Sequence, residues 1–225
     1  MDAEKQVLRI GIEGRWEANE FAQSLSALDR LYTLRFGLAL EKQELIELRD
    51  VFLDAPFPPF SRSLRYLRHW TRVAPSTLLR SERAALVAGG RITSVSSELL
   101  EPDERLVVQR VIYGSPGIKD LAGVGEIVGH LKDLLLRLID HWSTKQRRSL
   151  ENRHLELENE RLELENRQRQ VEVAKQFVGL AGELGYTEQE RRQLVAAVMH
   201  EQQPIVTLIS AGKITSVDAI DETQP

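Results

Sequence analysis

The chain has 225 residues, 42% of them hydrophobic and 28% charged, enough for one good core with an extended element outside it. It contains no cysteine, which excludes disulfide frameworks, thiolate catalysis and cysteine-based zinc sites. A net charge of −4 argues against a protein that coats nucleic acid generally, and the opening MDAEKQVLRIGIEG lacks an apolar run of signal-peptide length, so a cytoplasmic location is expected.

Val7 to Ile12 places Leu8, Ile10 and Ile12 at alternate positions, the pattern of a half-buried strand, and Gly14 then turns the chain. From Glu17 the apolar residues Phe21, Leu25, Leu28, Leu31 and Tyr32 fall three and four apart and form one helical face. A second helix is expected from Glu41 to Leu53, stopped by the prolines of Ala55-Pro56-Phe57-Pro58-Pro59-Phe60. Ser61 to Val73 and Ser76 to Ala88 read as two more helices, separated at Pro75 and closed by Gly89-Gly90.

Leu106 to Tyr113 is the second strand, and Gly114-Ser115-Pro116-Gly117 is expected to lead from it into a helix starting near Ile118. Leu121, Val124, Val128, Leu131, Leu135, Leu138 and Trp142 mark the buried stripe of that helix, and Gly123, Gly125 and Gly129 mark places for close backbone approach. The charges within Ile118 to Trp142 make it a core helix and not a bilayer span. No proline or glycine occurs between His130 and Val178, so the helix is expected to run from the core into a projecting charged segment. Thr187-Glu188-Gln189-Glu190 is a capping box opening a further helix, which Pro204 should kink or end. Two segments echo each other, LVAGGRITSV from Leu86 and LISAGKITSV from Leu208. Each reads as a helix end, a left-handed glycine and an extended exit.

Three heptad copies give the strongest pattern: Leu150-Glu151-Asn152-Arg153, Leu157-Glu158-Asn159-Glu160 and Leu164-Glu165-Asn166-Arg167. Leu155 and Leu162 form a second stripe roughly 140° around the helix from the first. With Leu155 and Leu162 at d, the asparagines Asn152, Asn159 and Asn166 take a, fixing register at a cost in stability, and Leu157 and Leu164 are left outside. With Leu150, Leu157, Leu164, Val171 and Val178 at a instead, Arg153, Glu160 and Arg167 occupy d, where a dry two-stranded seam is costly. Two stripes point to a helix with neighbours on two sides, as in a bundle, ring wall or filament. A solvated spacer helix is the plain alternative.

The candidate anion-binding residues are Arg62, Arg65, Arg68 and Arg72, with Tyr66 and Trp70 among them, and Gly114, Ser115 and Gly117 of the glycine-rich turn. Against the arginine patch stands the acidic row Glu41, Glu44, Glu47, Asp50 and Asp54, which can neutralise it within a hairpin. Against the turn stands Pro116, which removes a donor, and the missing phosphate-loop residues. The histidines His69, His130, His141, His154 and His200 show no ligand spacing, so no metal or cofactor is expected.

The expectation is therefore an α+β fold, predominantly α-helical. It comprises a small β/α head over 1–142, a long projecting coiled-coil-like helix over 143–180 and a short C-terminal helical unit over 181–225. The expected function is non-catalytic: a structural or scaffold protein whose partner is itself, with more than two neighbours. The alternative is an adaptor or sensor that binds an anionic ligand or nucleic acid through its basic helix and dimerises by the coiled coil.

Overall fold

The structure, a computed structural model, describes residues 5–54, 100, 102–114, 116–151 and 156–221; the side chains of 40, 41, 43–54, 143–151, 156–160, 162, 163 and 221 lie outside the described set. Strand β1 (Lys5–Ile12) leads to α1 (Ala18–Asp54), the hairpin of β2 (Val107–Ile112) and β3 (Gly117–Val124), then α2 (Gly125–Glu151) and α3 (Glu156–Phe177). The single turn α4 (Leu180–Glu183), α5 (Glu188–Ser210) and β4 (Ile214–Asp221) complete the described chain. The fold is mixed and mostly helical, as expected. The helices expected over 61–73 and 76–88, and the first echo segment, lie outside the described residues.

The sheet runs β2-β3-β1-β4 with every neighbour antiparallel. Alternation along β1 turns Leu8, Ile10 and Ile12 toward the helices, where Leu121 of β3 and Val217 of β4 join them in one core. Onto that face α2 lays Ile127, Val128, Leu131, Leu134, Leu135 and Leu138, none more than 2% exposed, each contributing about 1.5–3 kcal/mol by burial. Leu28, Leu31 and Tyr32 of α1 and Leu194, Val198, Ile205 and Val206 of α5 close the same core. The C-terminal segment is thus built into the head, because β4 pairs with β1 from Gln6↔Asp221 to Ile12↔Ile214.

Four local expectations change. One helix, α1, spans the two expected over 17–53; its 37 residues reach ~55 Å. Residues 117–124 form β3 and not the first turns of a helix, because their glycines disfavour helix and the segment pairs back antiparallel along β2. Helix α5 passes through Pro204 to Ser210. The roughly 3 kcal/mol cost of an interior proline is outweighed by burial of Ile205, Val206, Leu208 and Ile209 beyond it, at about 1.5–3 kcal/mol each. Finally, the long helix is two helices. The Arg137 guanidinium meets the Gln176 side-chain carbonyl, and Arg169 Nη1 lies 3.5 Å from His141 Nδ1, so α3 folds back antiparallel on α2. The capping box forms as read: Thr187 Oγ1 accepts from Glu190 N–H at 3.3 Å, and Glu190 Oε2 accepts from Thr187 N–H at 2.7 Å. The second echo segment follows its reading, with Gly212 at φ 69° between α5 and β4.

Gly123 is where sheet and helix meet most closely. Tyr32 Oη accepts from Val124 N–H at 2.8 Å and donates to the Glu104 carbonyl at 2.7 Å, pinning the ring over β3. A Cβ at Gly123 would stand 2.8 Å from Tyr32 Cε2. Overpacking costs about 1–3 kcal/mol, and the lost freedom of the unfolded chain returns about 0.4–1. Gly123→Ala is therefore expected to destabilise by about 1 kcal/mol in urea unfolding, and pairing it with Tyr32→Phe should leave most of that loss in place, since the ring still fills the space.

Candidate assembly surface

The side chains of α3 are described at residue 161 and from Leu164 onward. Asn166 is buried and Leu164, two residues away, is 64% exposed. Within the single chain Asn166 thus turns inward and Leu164 outward. Toward the C-terminal end Ala174, Phe177 and Val178 enter the common core, and Val171 is half-buried. Helix α3 packs against α2 and α5 of its own chain. Asn152 and Leu155 lie outside the described residues, as do the side chains of Leu150, Leu157, Asn159 and Leu162.

The turn after β2 joins two strands, so Gly114 and Gly117 offer an anion no helix N-terminus. Gly117 is instead required by space: a Cβ there would come within 2.6 Å of the Ile112 carbonyl oxygen. Ser115 and the arginines Arg62, Arg65, Arg68 and Arg72 lie outside the described residues.

The outer strand has a surface that the sequence pattern does not reveal. Along β2 every residue is exposed, and Val107, Val108, Val111 and Ile112 show 50, 46, 41 and 47% of their surfaces. Val108 and Val111 lie on the helix side of the sheet, opposite Leu121 and Lys119, and their exposure means that the described helices stop short of β2. Among the described residues β2 is an edge of the sheet. An apolar edge strand with both faces exposed is a ready template for pairing with another chain. The alternation in LVVQRVIY signalled a strand, but nothing in those letters says that the strand lies outside the core.

Across the opposite face of the sheet the strand register aligns Arg110, Asp120, Arg9 and Asp218 in one row, one residue per strand. Asp120 is 3% exposed and accepts from Arg9 Nε at 3.0 Å, Arg9 Nη2 at 3.1 Å, Arg110 Nε at 2.9 Å and Arg110 Nη2 at 2.7 Å. Burial pushes its carboxyl up, but the two guanidinium groups outweigh burial and hold it below the ordinary carboxylate range. Charge-assisted bonds from both flanking strands hold β2 against β3 at this point.

Two further polar groups lie under the helices. Lys119 is 1% exposed, with Nζ 3.8 Å from the Trp16 ring centroid and 4.0 Å from that of Phe21, and it donates to Ser24 Oγ at 2.9 Å. A serine beside a low-pKa lysine has the elements of a hydrolytic pair. Ser24 is 0% exposed, however, so both groups are closed to a substrate. Arg35, also buried, donates from Nη1 to the Phe177 carbonyl at 3.2 Å and reaches His130 Nε2 with Nη2 at 2.6 Å. As guanidinium is only a donor, His130 accepts there and is neutral. Burial, then the Arg35 charge, pushes the His130 pKa down. A depressed histidine pKa contributes stability that is present above the unfolded value, about 6.5, and lost as pH falls through the folded value. The urea midpoint is expected to drop below about pH 6.5, and His130→Gln should flatten that part of the profile.

Among the described residues no group of three His, Asp or Glu side chains is placed to hold a metal, and no helix is long and apolar enough to cross a membrane. No family model, curated protein or solved structure matches the chain.

Proposed function

We propose that this chain is a non-catalytic, self-assembling structural or scaffold protein, and that its primary contact surface is the β2 edge. The supporting observation is the contrast between β2, apolar and exposed on both faces, and a core in which the other strands turn apolar residues onto packed helices. A folded monomer that left such a strand uncovered would be prone to indiscriminate edge pairing. The exposed Leu164 on the outer side of α3 offers a second contact and gives the heptad helix a share in assemblies larger than a pair.

Negative-stain microscopy of the purified chain, with and without added nucleotide or single-stranded nucleic acid, tests this reading. Discrete or polymeric bodies that are unchanged by either additive are expected. Single particles of monomer size, or bodies that form only with the additive, would favour an adaptor that acts through an anionic ligand.

A further inference from the structure

The pairing of β2 with β3 slips by one residue between Val108 and Arg110. This bulge changes which residues share a face. Val107, Arg110 and Ile112 stand with Ala122, Asp120 and Ile118 on the charged-row face, whereas Val108 and Val111 stand with Leu121 and Lys119 on the helix face. Without the bulge, Val107 and Ile112, five positions apart, would lie on opposite faces. With it, the strand VVQRVI reads alike from either end: an aliphatic on the charged-row face, an aliphatic on the helix face, two polar residues, then the same two aliphatic classes in reverse.

A strand that reads alike in both directions is what an isologous contact requires, since the same patch must complement itself after a two-fold rotation. The alignments differ sharply in quality. Centring the axis between Gln109 and Arg110 sets Val107 against Ile112 of the second copy and Val108 against Val111 of the second copy, each pair on a common face. Centring it on Arg110 sets two guanidinium groups directly opposite one another, and centring it on Gln109 sets residues of opposite faces together. We propose that β2 pairs antiparallel with β2 of a second copy about an axis between Gln109 and Arg110, joining the two sheets into one. This rests on the self-assembly reading above and specifies its partner and register.

The absence of native cysteine allows a direct test. Val107→Cys and Ile112→Cys are made singly and together, oxidised and run on non-reducing gels, with sedimentation of each sample. Directly paired residues have Cα atoms about 4.5–5.5 Å apart, within the disulfide range. A residue and its own symmetry mate would be about 17 Å apart, at roughly 3.4 Å for each of five positions, beyond that range. The double variant, and an equimolar mixture of the two single variants, are expected to form covalent dimers, while either single variant alone is not. Val108→Cys with Val111→Cys should behave the same way on the other face, which keeps the test available if one pair disturbs folding.

Efficient cross-linking of a single variant with itself would overturn the register. No cross-link in either pair, in a protein that still sediments as an oligomer, would overturn β2 pairing and leave self-assembly standing. Monomeric sedimentation would overturn both, with β2 then covered by a segment of its own chain or by a different protein.

Discussion

Lys119→Met is expected to stabilise the protein at pH 7 by about 1–2 kcal/mol. The ammonium is 1% exposed, and burial pushes its pKa down from 10.5 to about 8. At about 1.4 kcal/mol per unit, holding that charge inside costs the folded state on the order of 3 kcal/mol below pH 8. Between pH 8 and 10.5 the unfolded chain binds the proton more tightly, so the stability of the parent protein rises through that window. Methionine has a similar reach and no charge, and its sulfur makes contacts of about 0.3–1.5 kcal/mol with Trp16 and Phe21. The loss is the cation–π attraction, about 2 kcal/mol when desolvated. Ser24 keeps its own bond to the Phe21 carbonyl at 2.8 Å. Urea unfolding at pH 7 and pH 10 checks both parts: the variant should lead at pH 7 and lack the alkaline rise. Destabilisation at pH 7 would mean that the rings and Ser24 hold the ammonium more strongly than its desolvation opposes it.

Introducing lysine at two positions of β2, in the double variant Val108→Lys and Val111→Lys, should weaken self-association at least about 100-fold, or roughly 2.7 kcal/mol. In the proposed pairing these positions face one another twice about the axis, so each new ammonium meets another across the strands. Lysine at an edge is also how folded proteins commonly block edge pairing. Both valines are more than two-fifths exposed in the single chain, and a lysine stem can follow the strand while its charge stays in water. The monomer should therefore keep its fold, with an unchanged circular dichroism spectrum. Raising the salt concentration should recover part of the affinity by screening the repulsion. Unchanged association at low salt would move the contact away from β2, most directly to the outer side of α3 at Leu164.

Local chemistry was legible wherever one segment carries its own signal. The alternation of Leu8, Ile10 and Ile12, the glycine at Gly212 and the Thr187–Glu190 capping box each depend on neighbours a few residues away, and each forms as read. The error over 117–124 has a definite cause. Leu121, Val124 and Val128 are spaced like a helical stripe, although that spacing runs across a junction of strand and helix, and Lys119 facing inward conceals the strand's alternation. The heptads of α3 were visible, but a leucine stripe does not say whether its own chain or another molecule covers it. Most of the candidate surface was hidden for the same reason. The alignment of Arg9, Arg110, Asp120 and Asp218 exists only in the sheet register, and the exposure of β2 follows from where the described helices end.

Equilibrium sedimentation of the unmodified chain, from sub-micromolar to tens of micromolar at physiological salt, decides whether the protein assembles with itself. A concentration-dependent mass that reaches at least twice the 25.6 kDa of one chain is expected, with the lysine variant returning to one. A mass of one chain at every concentration would contradict self-assembly.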